Sequence, residues 1–327
     1  MNAGPEVALY SQEMLPEVLG VWNAALGDRF PLSRELFMQN AMSDPHVDPE
    51  GCWVARRPDR GTVIGFCLAK IAREPLGAAG CLPDRGWISL MAVHPASQRR
   101  GIGRALLLQA EGYLRARGRR RALLGGDPNH FVPGIPLAPG ALEFFASCGY
   151  RLAGDAYDLR RSLAGYETPA AVGSAIAAHA DVKIRPLGTE EAPRLLGFLD
   201  EAFPGRWRYT VGRFLASGGS IEDIMGVVER GRVRGFAHLF HPASRWIGPS
   251  IAWTARATKR TGGLGPMGLA VDLRGRGLGL ALLDRAVRRL ADLGIEEMVV
   301  DWTDLVTFYG RLGFSPWRQY RHGEKPL

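Results

Sequence analysis

Apolar residues along the chain alternate between two spacings, every second position and every third or fourth, and the changes occur in the same order twice. The first pass opens with the apolar run Glu6–Tyr10 and a helical pattern in which Met14, Val18, Val21, Trp22 and Ala25 share a face. The second opens with a strand pattern over Val182–Leu187 and a helix capped at Thr189 and running through Phe203. Paired strand signals follow, Gly51–Arg57 with Thr62–Lys70 and Ile224–Arg230 with Val233–Phe240, and predict antiparallel hairpins. A strand then leads into a glycine-rich loop: Trp87–Pro95 into QRRGIG (Gln98–Gly103), and Gly265–Val271 into RGRGLG (Arg274–Gly279). Each loop opens an amphipathic helix, with Ile102, Leu106, Ala110 and Tyr113 on one face of the first and Leu278, Leu282, Ala286 and Leu290 on that of the second. Gly118 and Gly294 mark their ends, because glycine alone enters the left-handed cap without strain. A further strand (Ala122–Gly126; Glu296–Trp302) and a short helix (Ala141–Tyr150; Leu305–Phe314) close each pass.

Gly101 and Gly277 lie 176 positions apart, a domain length and not a solenoid period. Gly149 and Gly313 lie only 164 apart, so the first copy carries about 12 extra residues. These fall within Asp127–Gly140, whose prolines and glycines continue neither strand nor helix. The pattern divides the chain into a domain over 1–164, a linker over 165–180 that reads as a spacer or one frayed helix, and a domain over 181–327.

With 327 residues, 46% hydrophobic and 23% charged, the chain can bury two ordinary cores. No stretch approaches a membrane span and no basic, then apolar, leader opens the N-terminus, so a cytoplasmic protein off the membrane is expected. Cys52, Cys67, Cys81 and Cys148 show no zinc-ligand spacing, and no metal is expected. The net charge of +8 is spread along the chain without a basic arm or aromatic-basic platform, which favours an anionic small molecule over nucleic acid.

The loops suit a pyrophosphate. A helix N-terminus offers unpaired N–H groups and the positive end of its dipole, and Gly101, Gly103, Gly277 and Gly279 leave the backbone approachable. Arg99, Arg100 and Arg104, with Arg274 and Arg276, add positive charge. A dinucleotide fingerprint would need a third glycine, and Gly103 is followed by Arg104, Ala105 and Leu106.

Strand, Q/R-x-x-G-x-G, long helix, strand, and a short helix ending aromatic-x-x-x-Gly-aromatic together resemble the GCN5-related N-acetyltransferase (GNAT) family, twice over nearly the whole chain. WTDLVTFYGRLGFSPW and GGDPNHFVPGIP are also similar to bacterial tandem members. The resemblance implies an α/β fold of two tandem acyl-CoA N-acyltransferase domains. Each is a mostly antiparallel mixed sheet, flanked by helices and splayed between its fourth and fifth strands around acetyl-coenzyme A. It assigns the donor to Met91, Ala92, Val93, Gln98, Arg99, Arg100, Gly101, Ile102, Gly103 and Arg104 in the first copy. In the second, it assigns Met267, Gly268, Leu269, Arg274, Gly275, Arg276, Gly277, Leu278, Gly279 and Leu280. The N–H groups of Val93 and Leu269 would polarise the acetyl carbonyl.

In the family a tyrosine of the last helix commonly protonates the departing thiolate. Tyr309 holds that position in the second copy and Phe145 in the first, which places the chemistry in the second domain. On spacing alone a core aromatic whose hydroxyl reaches water is the commoner reading of Tyr309. Asp301, ending its strand, faces the splayed gap as a base or serves as a turn residue. His238 and His241 lie on a strand leading toward the acceptor side, where structural histidines are commoner than catalytic ones. Asp127, Asn129 and His130 on the inserted loop lie where an acceptor would bind, and Asp44–Glu50 brings carboxylates for a cationic amine or for solvation. The expected reaction is direct acetyl transfer to a primary amine, of a small molecule or a peptide, by a monomer or homodimer. The alternative is a partly or wholly non-catalytic acyl-CoA-binding or amine-binding protein with a degenerate first domain.

Overall fold

The computed structural model describes residues 6–59 and 61–327; residues 1–5, part of the leaderless N-terminus and first domain expected from sequence, lie outside that range. The first half runs β1 (Glu6–Leu9), α1 (Leu15–Leu26), α2 (Arg34–Phe37), β2 (Val47–Arg56), β3 (Val63–Ile71), β4 (Arg85–Val93), α3 (Ile102–Ala116), β5 (Arg121–Leu124), β6 (Ile135–Pro136), α4 (Ala141–Ser147) and β7 (Arg151–Ser162). The second runs α5 (Ala170–Ala177), β8 (Val182–Pro186), α6 (Ala192–Ala202), α7 (Arg206–Ala216), β9 (Ile224–Glu229), β10 (Arg232–Phe240), β11 (Thr261–Leu269), α8 (Leu278–Asp292), β12 (Glu297–Thr303), α9 (Val306–Gly310) and β13 (Ser315–Pro326). The hairpins expected from alternation are β2–β3 and β9–β10, both antiparallel.

Two compact units form. Among the described residues the first comprises 6–59, 61–75, 81–156 and 319–327, the second 76–80 and 157–318. They do not coincide with the stretches 1–164 and 181–327, because two long strands carry the chain out of one unit and into the other. The C-terminal part of β7 pairs antiparallel with β12 in the second unit, and the last residues of β13 pair antiparallel with β5 in the first. The segment read as a linker belongs to the second unit, where Val172 of α5 is fully buried in the core.

Each unit has the same sheet. In the first, β1, β2, β3 and β4 are antiparallel neighbours, and β4 then pairs parallel with β5. In the second, β8 to β11 repeat this, and β11 pairs parallel with β12. Both parallel pairings cover four residues, Arg85–Ile88 against Arg121–Leu124 and Thr261–Leu264 against Glu297–Val300. β4 and β11 each run five residues further without that partner, so each sheet parts between its fourth and fifth strands.

The long helices α3 and α8 fill one face of their sheets. Every residue of the two apolar faces read from spacing is buried. Both helices end as their glycines require. Gly118 and Gly294 have φ of +73° and +71°, and the following N–H groups of Arg119 and Ile295 donate back to the Leu114 and Leu290 carbonyls. The short α2 and the eleven-residue α7 have no counterpart among the helices read from the sequence.

β13 also anchors a charge. Glu111, on the buried side of α3, receives Lys325 Nζ at both carboxylate oxygens, 2.9 and 2.8 Å. Lys325→Met removes both of these bonds from Glu111, while the longer contact from Arg115 at 3.4 Å remains. We expect a loss of about 2 kcal/mol in urea unfolding, the scale of a hydrogen bond to a charged group.

Candidate functional site

Each site begins where a parallel pair separates. The N–H of His94 donates to Ile64 and that of Ala270 to Arg234, so by strand alternation the N–H groups of Val93 and Leu269 point away from β3 and β10, toward the unpaired edge. Those are the two groups expected to polarise a carbonyl. Met91 and Ala92, and Met267 and Gly268, precede them on the same free-running stretches.

The loops that follow are alike in backbone. Arg99 and Gly101 have φ of +63° and +81°, and Gly275 and Gly277 have +76° and +78°. The first residue of each motif is a brace: Gln98 Nε2 donates to the Val93 carbonyl at 3.0 Å, and the Arg274 guanidinium donates to that of Leu269 at 3.2 and 3.1 Å. Both side chains tie the loop to the strand that precedes it. Arg104 reaches Ser147 on its carbonyl and hydroxyl. Arg99, Arg100 and Arg276 stay exposed, and Ile102, Leu278 and Leu280 are buried beneath the loops. Gly103 packs close to Phe144 and Met91, and Gly279 against Phe308 and Leu269.

A phosphate-bearing donor fits the first loop: a methyl group built on Gly101 meets no atom within 4 Å, so the backbone is open to a ligand. At Gly277 the same methyl group would lie 2.8 Å from Cβ of Ala175, on α5.

Strand register matches the two partings residue by residue. Gly65 faces Val93 as Gly235 faces Leu269, and Ile88 sits beside Leu124 as Leu264 sits beside Val300. Ser89 therefore corresponds to Gly265, Gly125 to Asp301, Gly126 to Trp302, and Lys70 to Phe240. The ionisable groups differ completely.

In the second unit, Asp301 lies at the first position past the parting and is half-buried. Loss of solvent pushes its pKa up to about 7, against the pull of the Arg206 guanidinium. Arg206, at the start of α7, stacks 4.4 Å over Trp302. Trp302 holds φ +44°, a left-handed conformation rare outside glycine, and its N–H is turned toward Asp158 at 3.4 Å. Tyr309 is buried; burial and then the charge of Asp301 raise its pKa, so the phenol keeps its proton at neutral pH. Gly125 and Phe145 hold the matching places in the first unit, and neither can titrate. Phe145 packs edge-on to Phe144 and Tyr150.

The first unit carries a buried ionic cluster. Lys70 Nζ donates to Asp127 at 2.6 Å, Asp44 at 2.8 Å and the carbonyls of Asn40 and Asn129 at 2.7 and 3.0 Å. Ser89 on β4 donates to the other Asp127 oxygen at 2.7 Å, and Asn129 donates to Asp44 at 2.9 Å. Burial alone would lower the Lys70 pKa, but Asp127 and Asp44 outweigh it and the net direction is upward. Asp127 and His130 are buried, and Asn129 is drawn in through its carbonyl and amide. The inserted loop is thus pinned by Lys70, a strand residue with no motif to betray it. Asp44, from the acidic stretch Asp44–Glu50, belongs to this cluster and not to the surface.

His238 is enclosed by Phe214 and Phe240, ring centres 4.4 and 4.1 Å away, and burial lowers its pKa to about 3. His241 pairs with Asp223 at 3.0 Å and takes the Ala243 N–H. Among the described residues no group of three His, Cys, Asp or Glu side chains is placed to hold a metal ion, and no helix is long and apolar enough to cross a membrane.

The profile of the acetyltransferase (GNAT) family matches residues 18–136 and 198–314. A mycothiol acetyltransferase of Geodermatophilus obscurus is 28% identical over 254 residues, 71% of this chain and 73% of the relative. Among solved structures, the GCN5-related glucosamine N-acetyltransferase region of a fungal multi-domain GH3 β-N-acetylglucosaminidase superposes with a TM-score of 0.89 at 25% identity. The match covers 99% of this chain, which spans only 38% of that longer one. A tandem GNAT protein of the clavulanic acid biosynthesis pathway has the same fold, with a TM-score of 0.65, 17% identity and 98% of each chain covered. The chain belongs to the acetyltransferase (GNAT) family, as a tandem member whose acyl donor is acetyl-coenzyme A.

Proposed function

We propose that the chain acetylates the primary amine of an amino sugar, with the chemistry in the second unit. The reading is supported by two groups of the second unit that influence one another: Asp301, the first residue past the parting of β11 and β12, whose carboxyl burial pushes up to about 7, and Tyr309, a buried phenol raised further by the Asp301 charge. The acceptor class is supported by the fungal glucosamine N-acetyltransferase region that superposes on nearly the whole chain.

Acetyl-coenzyme A supplies an activated acetyl group as a thioester. The chain's residues would do the rest. The Leu269 N–H is aimed at the free edge where a carbonyl oxygen gathers charge. Asp301, with a pKa near neutrality, can accept the proton that an ammonium must lose before its nitrogen attacks, directly or through water. The Tyr309 hydroxyl holds the proton needed by the thiol. Arg206, stacked over Trp302, moderates the pKa of Asp301. The matching Gly125 and Phe145 offer neither group, which supports a non-catalytic first unit.

With glucosamine as acceptor and thiol release as readout, Tyr309→Phe should lower kcat about 10²- to 10⁴-fold, the range for a lost general acid. Phe145→Tyr should leave it unchanged. A wild-type rate in Tyr309→Phe would overturn this assignment, and no transfer to any amino sugar would overturn the acceptor class.

Asp301 acts as a base only when ionised, so kcat/KM should rise with pH and level off above about 7, an ascent absent in Asp301→Asn. Stability should run the other way. The folded pKa lies above the ordinary carboxylate value, so its contribution to stability is present at low pH and is lost as pH rises through about 7. Thermal melts of Asp301→Asn should therefore gain on wild type from about pH 4 to about pH 7, the span between the ordinary and the raised pKa, while activity falls. Equal pH dependence of the two melts would show that Asp301 is not held in the protonated form.

A further inference from the structure

The second glycine loop is already in contact with something. Its φ angles repeat those of the first loop and its arginine brace repeats the glutamine brace, so the backbone cradle is built in full. The difference is Ala175: a methyl group on Gly277 would meet its Cβ at 2.8 Å, and one on Gly101 would meet nothing within 4 Å. A glycine at this position admits close approach to the loop backbone, and here the close approach is made by α5.

α5 is fastened from both sides. Val172 is fully buried in the core that also holds Leu278, Ala281 and Leu282, with Ile176 packed against it. Before the helix, Tyr166 donates to Asp284 on α8 at 2.6 Å, Arg288 of α8 holds the Thr168 hydroxyl, and Arg161 lies 4.4 Å over the Tyr166 ring. Asp284 is itself fully buried, so the Tyr166 contact supplies a hydrogen bond the carboxylate needs. Past the helix, a cavity of about 280 Å³ remains between Ile176, His179 and Lys183 on the strap side and Leu278 and Arg285 on α8. The helix itself is poor in grip. Its sequence AAVGSAIA presents one fully buried side chain, and Ala170, Ala171, Gly173, Ser174 and Ala177 are exposed.

We infer that α5 is an intrachain strap that competes with coenzyme A for the Gly277 loop, so that donor binding in the second unit requires α5 to leave. The inference rests on the reading of the second unit as the catalytic one. Its direct consequence is unequal donor sites: the first loop takes coenzyme A with no rearrangement, and the second takes it with an affinity reduced by the fraction of time α5 is docked. Linkage makes the effect reciprocal, so bound coenzyme must loosen α5 by the same factor.

The test titrates coenzyme A calorimetrically into full-length protein carrying Gly101→Asp, which closes the first loop to phosphate, with and without a loosened strap. Val172→Asp places a charge in the core and should strengthen binding at the second loop at least tenfold. Tyr166→Phe removes only the bond to Asp284 and should strengthen it several-fold, which keeps the test valid where Val172→Asp fails to fold. In the Gly101→Asp protein, saturating coenzyme A should speed hydrogen exchange of the α5 amides, 170–177, and protect those of 274–279. Equal affinity in strap-intact and strap-loosened proteins, absence of binding in all of them, or unchanged exchange in α5 would overturn the strap. The catalytic reading fails separately: strap variants that gain coenzyme binding yet transfer no acetyl group leave the strap standing and remove the chemistry from Asp301 and Tyr309.

Discussion

Parallel pairing that stops after four residues is the constraint on which both units depend. While β4 and β5 or β11 and β12 run together, their backbone groups satisfy one another. Once they part, the N–H groups along β4 and β11 that face the gap need another partner. A ligand carbonyl is one solution, and the parting thereby turns the edge of a strand into a binding surface. It also sets what the next residues can do. The first position past the parting on the fifth strand is glycine in one unit and aspartate in the other. The glycine loops at the ends of β4 and β11 are tied back to those strands by Gln98 and Arg274, so loop and free strand edge are joined in each unit.

From one frame the two copies have gone different ways. The first keeps an open loop and has invested its parting in Lys70, Asp44, Asp127 and Ser89, four groups that satisfy one another out of water and hold the inserted loop down. Such a cluster specifies one arrangement and loses much when any member is removed. The second has Phe240 where Lys70 stands, and at its parting are a carboxyl raised to about 7 by burial and a guanidinium stacked on a tryptophan with positive φ. A carboxyl whose pKa lies near neutrality can exchange a proton there, whereas a fully paired cluster favours stability.

The exchange of β7 and β13 ends gives a further consequence of length. A strand of twelve residues is long for a small sheet, and both strands are that long because each contributes residues to both units. The unit formed first in the chain is therefore completed by its last nine residues, with Tyr320 fully buried and Lys325 on Glu111. A boundary drawn at one point along the chain cannot describe this.

Much of the protein was legible in the residues alone. The duplication, the hairpins, the glycine loops, the apolar faces of α3 and α8 and their ends at Gly118 and Gly294 are written in local terms, since periodicity and left-handed caps involve neighbours along the chain. The contrast of Tyr309 with Phe145 was visible for the same reason, as two copies can be laid side by side. Tertiary structure decided what crosses distance. Lys70 finds Asp127 from 57 positions away, Arg206 meets Trp302, and the end of β13 returns to β5, and none of these pairings leaves a mark at either residue. Gly277 shows the limit most plainly. The sequence states that no side chain can be tolerated there, because the backbone must be approached closely; only the folded chain states that α5 is what approaches, because a glycine specifies room and not its occupant.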